Sequence, residues 1–433
     1  MKPALRILAV PNEDGFGPSA LLSYVVKELL AQQPDSHATI WNRSRADYNR
    51  SLYRDFIAAG RVNVEPICNL IELAKDAATG EVFIADTLAR IGDYRAASDR
   101  YMASTWAGEF DLVVEFGVPA AARWAAKRGI PCVSIFDHAW ARTLAMILDD
   151  AAALVTARQR AQWHALVTAV RRDETFTRKL FLFPNFITPP LFHAHCRTVA
   201  PRAAVRRLSG VLGGTASWSE RQAREYLGLA KPGRIVMIQG GDTPAWDALL
   251  QRLVPAFLDA SAELDARRLN VAFYIPRRIA GRGVLARLND PAVARRCPRV
   301  RAFAPVPGGT TQEIFPFVDL LVTRAGGGTV NDAVACRTPF VCVPERSHSQ
   351  VEAILTACLR RGLTRLVDSA ALESDPLRAI LAEVDRARDN RKMAAVMRDI
   401  PNHVEKKLAR EILREFTARR VSSGACRRKP RPS

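Results

Sequence analysis

The sequence lacks the marks of several common protein classes. Its 8 cysteines include no CxxC pair and are too scattered for a disulfide framework. No stretch of about 18 apolar residues occurs, so no transmembrane helix is predicted. The GxSxG motif of serine hydrolases and the HExxH motif of zinc proteases are both absent. These absences argue against a disulfide-rich secreted domain, an integral membrane protein and two large hydrolase classes.

The cysteines and the N-terminus also indicate a compartment. Scattered cysteines are typical of free thiols in a reducing environment. The first apolar run ends before Asn12 and is too short for the core of a secretory signal. We therefore expect a cytoplasmic protein, either free or bound peripherally at the inner face of a membrane. The segment HAHC, from His193 to Cys196, has no second ligand cluster at zinc spacing, so we expect no metal site.

The charge of the chain is strongly positive. Lys and Arg number 63 against 44 Asp and Glu, a formal net charge of +19. Such an excess favours anionic partners, among them nucleotides, anionic membrane and nucleic acid, without choosing between them. An Arg-rich composition and a basic tail would produce much of the same excess without any partner. That tail, residues 421–433, has nothing apolar to pack and is predicted to be disordered.

Short apolar runs alternate with amphipathic stretches in both halves of the chain. In the first half, Leu5 to Val10 reads as a buried strand, and the apolar positions from Leu21 to Leu30 then fall on one helical face. In the second half a similar series begins with the strand RIVMIQ, which ends before Gly240. Strands that alternate with helices are typical of parallel α/β sheets. The chain is therefore predicted to hold two α/β units in tandem.

The boundaries of these units follow from composition. After Pro184 the chain becomes rich in Pro, Gly and Arg and loses its periodicity. We place the first domain at residues 1–200 and the second at 201–402. Residues 403–420 are predicted to form a helix laid across the surface, which clasps the domains together. Its apolar residues recur every four positions: Val404, Leu408, Ile412 and Phe416.

The first of two strand-glycine-helix junctions reads AVPNEDGFGPSALL. Gly15 and Gly17 have the GxGxxA spacing of a dinucleotide-binding turn. The second strand ends without the ribose-binding acid of such sites, but Arg43 could accept a 2′-phosphate, which keeps an NADP-dependent oxidoreductase open. Glu13 and Asp14 place carboxylates where a pyrophosphate would lie. An acidic loop facing a cleft suits activation of an acceptor better.

The second junction, LLVTRAGGGTVNDAVA, runs from Leu320 to Ala335. Glycine lets backbone N–H groups approach a ligand, and the N-terminus of the following helix carries partial positive charge that favours phosphate. The residues suited to this task are Gly326, Gly327, Gly328, Thr329 and, as a counter-charge, Arg324. No Lys follows the glycines, so the turn is not a Walker A loop. A capping box from Thr329 to Asp332 would explain the same residues without a ligand.

The residues around this turn resemble the nucleotide-sugar half of GT-B glycosyltransferases, especially the MurG-like and UDP-glycosyltransferase families. The family pattern is an Asp before a strand, S/T-R-A/S-G, T-x-x-E, a strand that ends in Pro, and a Gln. The matching residues here are Asp319, Thr323, Arg324, Ala325, Gly326, Thr329, Pro344 and Gln350. Asp332 stands where the family usually has Glu.

This resemblance implies an α/β fold of two tandem Rossmann-like domains that face a central cleft. It implies a hexosyltransferase that moves a sugar from a nucleotide diphosphate sugar, UDP before other nucleotides, to an unknown acceptor with inversion. The nucleotide sugar is then a substrate, and no cofactor or metal ion is required. The acceptor is expected in the first domain, beside the loop of Gly15 and Gly17, and the donor in the second.

The resemblance also implies roles within the donor site. Residues 326–329 would hold the diphosphate, Asp332 the ribose hydroxyls, and Gln350 the donor sugar. The backbone at Phe303 and Ala304 would meet the base. Near the end of the preceding strand the predicted contacts are Gly240, Gly241 and Thr243, the last because a carboxylate at Asp242 would repel a diphosphate.

The resemblance does not extend to the catalytic base. Many family members place a His directly after the N-terminal glycines, where this sequence has Pro18. Proline suits a first helical turn, so another residue must take the proton of the acceptor. The candidates, with Asp14 first, are Asp14, Glu13, Glu115, Asp137 and His138.

Three other functions stay open at this point. A nucleotide-sugar epimerase would share the fold and turn over the donor without an acceptor. An NADP-dependent oxidoreductase would use the N-terminal glycine turn. A binding protein for nucleic acid or acidic membrane would use the positive charge and show steep salt dependence.

Overall fold

The structure is a computed structural model. It describes residues 4–12, 16–67, 71, 73–74, 82–103, 110–136, 140–151, 155–182, 187, 194, 196–197, 204–240, 244–275, 288, 290–304, 306, 309–344 and 349–426. At positions 100–103, 150, 244–245, 349–350 and 418–426 only the backbone is described.

The first half of the described chain forms one parallel sheet with the strand order β3-β2-β1-β4-β5-β6-β7. Its strands are β1 Arg6–Pro11, β2 His37–Trp41, β3 Val62–Glu65, β4 Leu112–Phe116, β5 Cys132–Phe136, β6 Lys179–Leu182 and β7 Ala204–Arg207. Because β7 pairs with β6 from Ala204 onward, this sheet extends past residue 200, where the sequence placed the end of the first domain. β7 is a mostly exposed edge strand, so no buried apolar run signalled it.

The second half forms another parallel sheet, with the order β10-β9-β8-β11-β12-β13 in the described residues. Its strands are β8 Arg234–Gln239, β9 Leu269–Tyr274, β10 Val300–Phe303, β11 Leu320–Thr323, β12 Phe340–Cys342 and β13 Thr364–Leu366. Both sheets begin with the order of a Rossmann fold, in which the first strand lies between the second and the fourth. The prediction of two tandem Rossmann-like units is confirmed.

Helices cover the faces of both sheets, as buried parallel strands require. In the first half they are α1 Gly17–Gln32, α2 Ala46–Leu52, α3 Arg54–Ala58, α4 Ile84–Ile91, α5 Tyr94–Ala103, α6 Pro119–Lys127, α7 Trp140–Asp150 and α8 Ala157–Glu174. In the second half they are α9 Glu220–Tyr226, α10 Pro244–Asp259, α11 Ser261–Ala266, α12 Pro291–Arg296, α13 Gly327–Cys336, α14 Ser349–Arg360, α15 Ser369–Ser374, α16 Pro376–Asp385, α17 Ala387–Arg398 and α18 Val404–Cys426. Short 3-10 helices span Thr311–Glu313 and Phe315–Phe317. No helix in the described part of the chain is long and apolar enough to cross a membrane.

The side chains of β1 point alternately to the two faces of the first sheet, and both faces are covered by helices. Ile7 and Ala9 pack with α1 in one apolar cluster, whereas Leu8 and Val10 pack with α6 in another. Successive side chains of a strand point to opposite faces, so a strand buried on both sides is apolar throughout. The apolar residues predicted for α1 are all buried: Leu21, Leu22, Val25, Val26, Leu29 and Leu30.

The last helix returns the chain to the first sheet. The predicted apolar stripe of α18 is buried in the core of the first half, together with α1. Lys179 on β6 also forms an ion pair with Glu415 on this helix. The helix continues to Cys426, past residue 420 and into the segment expected to be disordered, and residues 427–433 lie outside the described residues. α18 follows the second domain in the sequence but packs on the first, so it ties the two domains together.

Candidate functional site

Each sheet has a crevice where its strand order reverses, and ligands of open α/β sheets bind in such crevices at the carboxyl ends of the strands. In the first sheet this point lies between β1 and β4, where Pro11 pairs with Phe116. In the second it lies between β8 and β11, where Gln239 pairs with Thr323. The glycine turn before α13 therefore stands at the second crevice.

The two glycine turns, which are far apart in sequence, meet in the structure. α1 begins at Gly17 and α13 at Gly327. A Cβ placed on Gly328 would lie 3.0 Å from the Cα of Gly17, and a Cβ on Gly17 would lie 3.6 Å from the Cα of Gly328. The N-termini of two helices, one from each domain, thus converge on one place.

The electrostatics at this place favour an anion. The N-cap residues Phe16 and Gly326 make no side-chain capping bond, and neither helix has an acidic residue in its first turn. Each helix N-terminus is equivalent to about half a positive charge. The guanidinium of Arg45 lies 4.4 Å from the ring centroid of Phe16, and its buried Nε has no hydrogen-bond partner in the described part of the chain. A phosphate group would satisfy this positive charge.

The capping-box explanation of the second turn is wrong. The N-cap of α13 is Gly326, so Thr329 is the third residue of the helix. Asp332 is 6% exposed and bonds elsewhere: its Oδ2 accepts from Thr311 Oγ1 at 2.5 Å. Its Oδ1 accepts from Gln312 Nε2 at 2.9 Å and from Asn331 Nδ2 at 3.1 Å. Burial raises the pKa of Asp332, and these three hydrogen bonds oppose the rise. A ribose contact for this carboxylate stays a prediction and would have to use its remaining lone pairs.

The same network holds the linker between the domains. Asn331 Oδ1 accepts from the backbone N–H of Leu212 at 2.9 Å, and its Nδ2 donates to the Leu212 carbonyl at 3.2 Å. Gln312 Nε2 also donates to that carbonyl, at 2.9 Å, while Gln312 Oε1 accepts from the backbone of Gly214 at 2.8 Å. Sequence reasoning missed Gln312 and Asn331, because neither belongs to a recognisable motif. Asp332 is therefore connected to the linker through two amide side chains.

Two tyrosines of the first domain reach the second. Tyr24, on α1, shares a hydrogen bond of 2.5 Å with the hydroxyl of Thr310. Tyr48, on α2, packs edge-on against Phe16 with the ring centroids 4.9 Å apart. Burial raises the pKa of Tyr48, and the negative charge of Asp332 in the second domain raises it further. The bond from Tyr24 to Thr310 thus joins the first domain to the second.

The remaining predicted donor residues have varied surroundings. Phe303 is buried, with its ring centroid 5.6 Å from that of Tyr274, and the Ala304 carbonyl accepts from the Tyr226 hydroxyl at 2.7 Å. Arg324 is half-buried in the turn between β11 and α13. Gln350 belongs to α14, but its side chain is outside the described residues, as are Gly241 and Thr243.

Gly240 is a glycine for a reason that sequence reasoning missed. A Cβ at this position would lie 1.7 Å from Cδ2 of Trp246, because the indole of Trp246 covers it. Close packing of a side chain, rather than approach of a ligand, is therefore enough to require glycine at this position.

Of the catalytic candidates, only Glu115 is described. Glu13, Asp14, Gly15, Asp137 and His138 lie outside the described residues. Glu115 is the last residue but one of β4 and has no exposed surface, and its Oε2 accepts from the backbone N–H of Val118 at 2.6 Å. Burial raises the pKa of Glu115 to about 7, the charge of Glu174 adds to this, and hydrogen bonds from Ser134 and Val118 oppose it. Such a pKa suits proton transfer, but one oxygen of this buried carboxyl is already held by the backbone N–H of Val118.

Pro18 lies in the first turn of α1, as its fixed backbone angle favours. The position of the family's histidine is thus part of the helix that meets Gly328, and it carries no titratable group.

No protein-family model and no curated protein matches this sequence. Solved structures match over nearly its whole length. The glycotransferase of kitacinnamycin has a TM-score of 0.61 at 16% identity, covering 95% of this chain and 99% of that chain. The UDP-glucose:anthocyanidin 3-O-glucosyltransferase in complex with UDP has a TM-score of 0.56 at 14% identity, covering 96% and 98%. The chain has the GT-B fold.

A protein assigned as UDP-N-acetylglucosamine 2-epimerase from Listeria monocytogenes is also similar, with a TM-score of 0.54 at 12% identity over 95% of each chain. At these identities the likeness is one of fold. The GT-B fold predicted from the glycine turn and its flanking residues is confirmed, and the chemistry has to be argued from the site.

Proposed function

We propose that this protein transfers a sugar from a nucleoside diphosphate sugar, with UDP as the first candidate nucleotide, to an acceptor bound on the first domain. The observation that carries the proposal is the convergence of two uncapped helix N-termini at Gly17 and Gly328. The fold supports it, because similar structures include a glucosyltransferase in complex with UDP and a glycosyltransferase complexed with thymidine diphosphate.

The proposed reaction proceeds with inversion. The acceptor hydroxyl attacks the anomeric carbon, the bond from that carbon to the diphosphate oxygen breaks, and a base takes the hydroxyl proton. Negative charge develops on the leaving diphosphate, where the two helix ends and Arg45 would stabilise it without a metal ion. Asp14, which precedes α1 in the sequence, stays our first candidate for the base, followed by Glu13 and His138.

A panel of nucleotides tests this proposal. Thermal unfolding is followed with UDP, dTDP, GDP, ADP and NADPH, and turnover of UDP-glucose is followed with and without candidate acceptors. We expect a nucleoside diphosphate to raise the melting temperature and NADPH to leave it unchanged. Stabilisation by NADPH alone would instead support the oxidoreductase. Donor conversion to an isomeric nucleotide sugar without an acceptor would support the epimerase.

The proposal also extends to the surface. The protein has a formal net charge of +19, which attracts it to anionic surfaces. We propose that it contacts anionic membrane, where an anionic or lipid-linked acceptor would be found. The exposed side of α18 carries part of this charge in Lys406, Lys407, Arg410 and Arg414.

A further inference from the structure

Two buried polar atoms at the second crevice lack a hydrogen-bond partner among the described residues. They are Oε1 of Gln239 and Nε1 of Trp246. Gln239 is the last residue of β8, and Trp246 lies in the first turn of α10 with 4% of its surface exposed. Buried polar side-chain atoms of folded proteins nearly always have a partner, so a pair without one at a ligand-binding edge requires an explanation.

The positions of both residues are set by their packing. The indole of Trp246 lies against Gly240, where even a Cβ would overlap it. The Cα of Gln239 pairs with that of Thr323, the last residue of β11. Gln239 therefore lies beside the turn that leads into α13, where we place the diphosphate, and Trp246 covers Gly240, the next residue along the chain.

The chemistry of the two atoms selects the ligand group. An indole N–H only donates, and a carboxamide oxygen only accepts. A phosphate oxygen would satisfy Trp246 but offers no hydrogen to Gln239 at neutral pH. A hydroxyl group accepts from the indole and donates to the carboxamide oxygen, so carbohydrate hydroxyls satisfy both.

We propose that Gln239 and Trp246 bind carbohydrate hydroxyls of the nucleotide sugar and contribute to the choice of donor. This inference rests on the proposed function. The hydroxyls belong either to the ribose or to the sugar that is transferred, and the two sources are separated by comparing ligands that differ in one of them.

Two variants remove the hydrogen-bonding atoms and keep the packing. Trp246→Phe loses the N–H while an aromatic ring remains against Gly240, and Gln239→Met keeps the length of the side chain. Trp124→Phe is the matched control, because Nε1 of Trp124 is also buried without a partner in the described residues but lies in the first domain, against Trp41. Circular dichroism and melting temperatures verify folding. If Trp246→Phe does not fold, Gln239→Met carries the test alone.

Calorimetric titration with UDP, 2′-deoxy-UDP, UDP-glucose and UDP-N-acetylglucosamine reads out the result. We expect each variant to bind a nucleotide sugar at least tenfold more weakly than the wild type, with the control unchanged. Loss confined to the nucleotide sugars assigns the transferred sugar, whereas equal loss for UDP, with 2′-deoxy-UDP less affected, assigns the ribose.

The inference is overturned if the wild type binds these ligands and both variants bind them equally well, which would mean that water alone satisfies the two atoms. It is also overturned if Trp124→Phe weakens binding as much as Trp246→Phe. If the wild type binds no nucleoside diphosphate at all, the proposed function fails and this inference fails with it.

Discussion

Replacing Asn331 by alanine tests how the linker between the domains is held. The Asn331 side chain is fully buried and makes three hydrogen bonds, of which two are to the backbone of Leu212 and one is to Asp332. The substitution removes all three at once. The Leu212 carbonyl keeps its bond from Gln312, but no other bond to the Leu212 N–H is seen in the described residues.

The magnitude follows from these contacts. A buried N–H left without a partner costs about 1–3 kcal/mol, and each further hydrogen bond contributes about 1 kcal/mol to stability. The free energy of unfolding should therefore fall by roughly 2–4 kcal/mol. For a domain of about 150–250 residues each kcal/mol shifts the melting temperature by about 2–4 °C, so a loss of roughly 5–15 °C is expected.

Differential scanning calorimetry of the ligand-free protein measures this shift. Asn63→Ala is the matched control, because Asn63 is exposed on β3 and its side chain bonds only to Glu65 in the described residues, at 2.7 Å. Such a surface substitution should change stability by no more than about 0.5 kcal/mol. If Asn331→Ala melts as the control does, the network from the linker to Asp332 does not stabilise the fold and the reasoning is refuted.

Three further predictions concern the domain contact, the buried carboxyl and the surface. Gly328→Ala should weaken UDP binding more than Gly17→Ala, since its Cβ would lie 3.0 Å rather than 3.6 Å from the facing glycine; equal effects in titration would contradict the contact. The pKa of Glu115 in the folded state, about 7, is above its unfolded value, so stability falls as pH rises through the interval from about 4.3 to 7. Glu115→Gln should remove this fall and gain about 1–3 kcal/mol relative to the wild type between pH 5 and pH 8 in denaturant titrations; a gain independent of pH would refute it. Charge reversal of Lys406, Lys407 and Arg410 should reduce salt-sensitive sedimentation with anionic vesicles, and unchanged sedimentation would place the membrane contact elsewhere.

Local patterns were enough to predict two tandem α/β units, whereas the GT-B fold was implied by the family resemblance around the second glycine turn. The apolar periodicity of α1 and α18 reflects burial on one helical face, and buried parallel strands such as β8 are apolar throughout. The glycine turn at Gly326 was recognisable because a strand, glycines and a helix occur in a fixed order. The edge strand β7 was not recognisable in the sequence, because its residues are mostly exposed and show no pattern of buried apolar positions.

The site itself could be predicted only in part, because much of it is made by contacts distant in sequence. That Gly17 meets Gly328 depends on how two domains pack, which no local spacing encodes. The bond from Gln312 to Asp332 joins two elements of the second domain that only the folded chain brings together. Gly240 shows a second reason why the site could be predicted only in part. A glycine that is required by the packing of Trp246 looks the same in the sequence as a glycine that is required by a ligand.

The central claim is that two helix N-termini, neither of which has an acidic residue in its first turn, form a diphosphate site. The most direct measurement is UDP binding by Thr329→Asp, compared with the isosteric Thr329→Asn. A carboxylate in the first turn of α13 should stabilise the helix by up to about 1 kcal/mol, yet occupy the positive potential that the diphosphate needs. We predict that Thr329→Asp is at least as stable as Thr329→Asn and binds UDP at least tenfold more weakly. Equal UDP affinity of the two variants would contradict the claim.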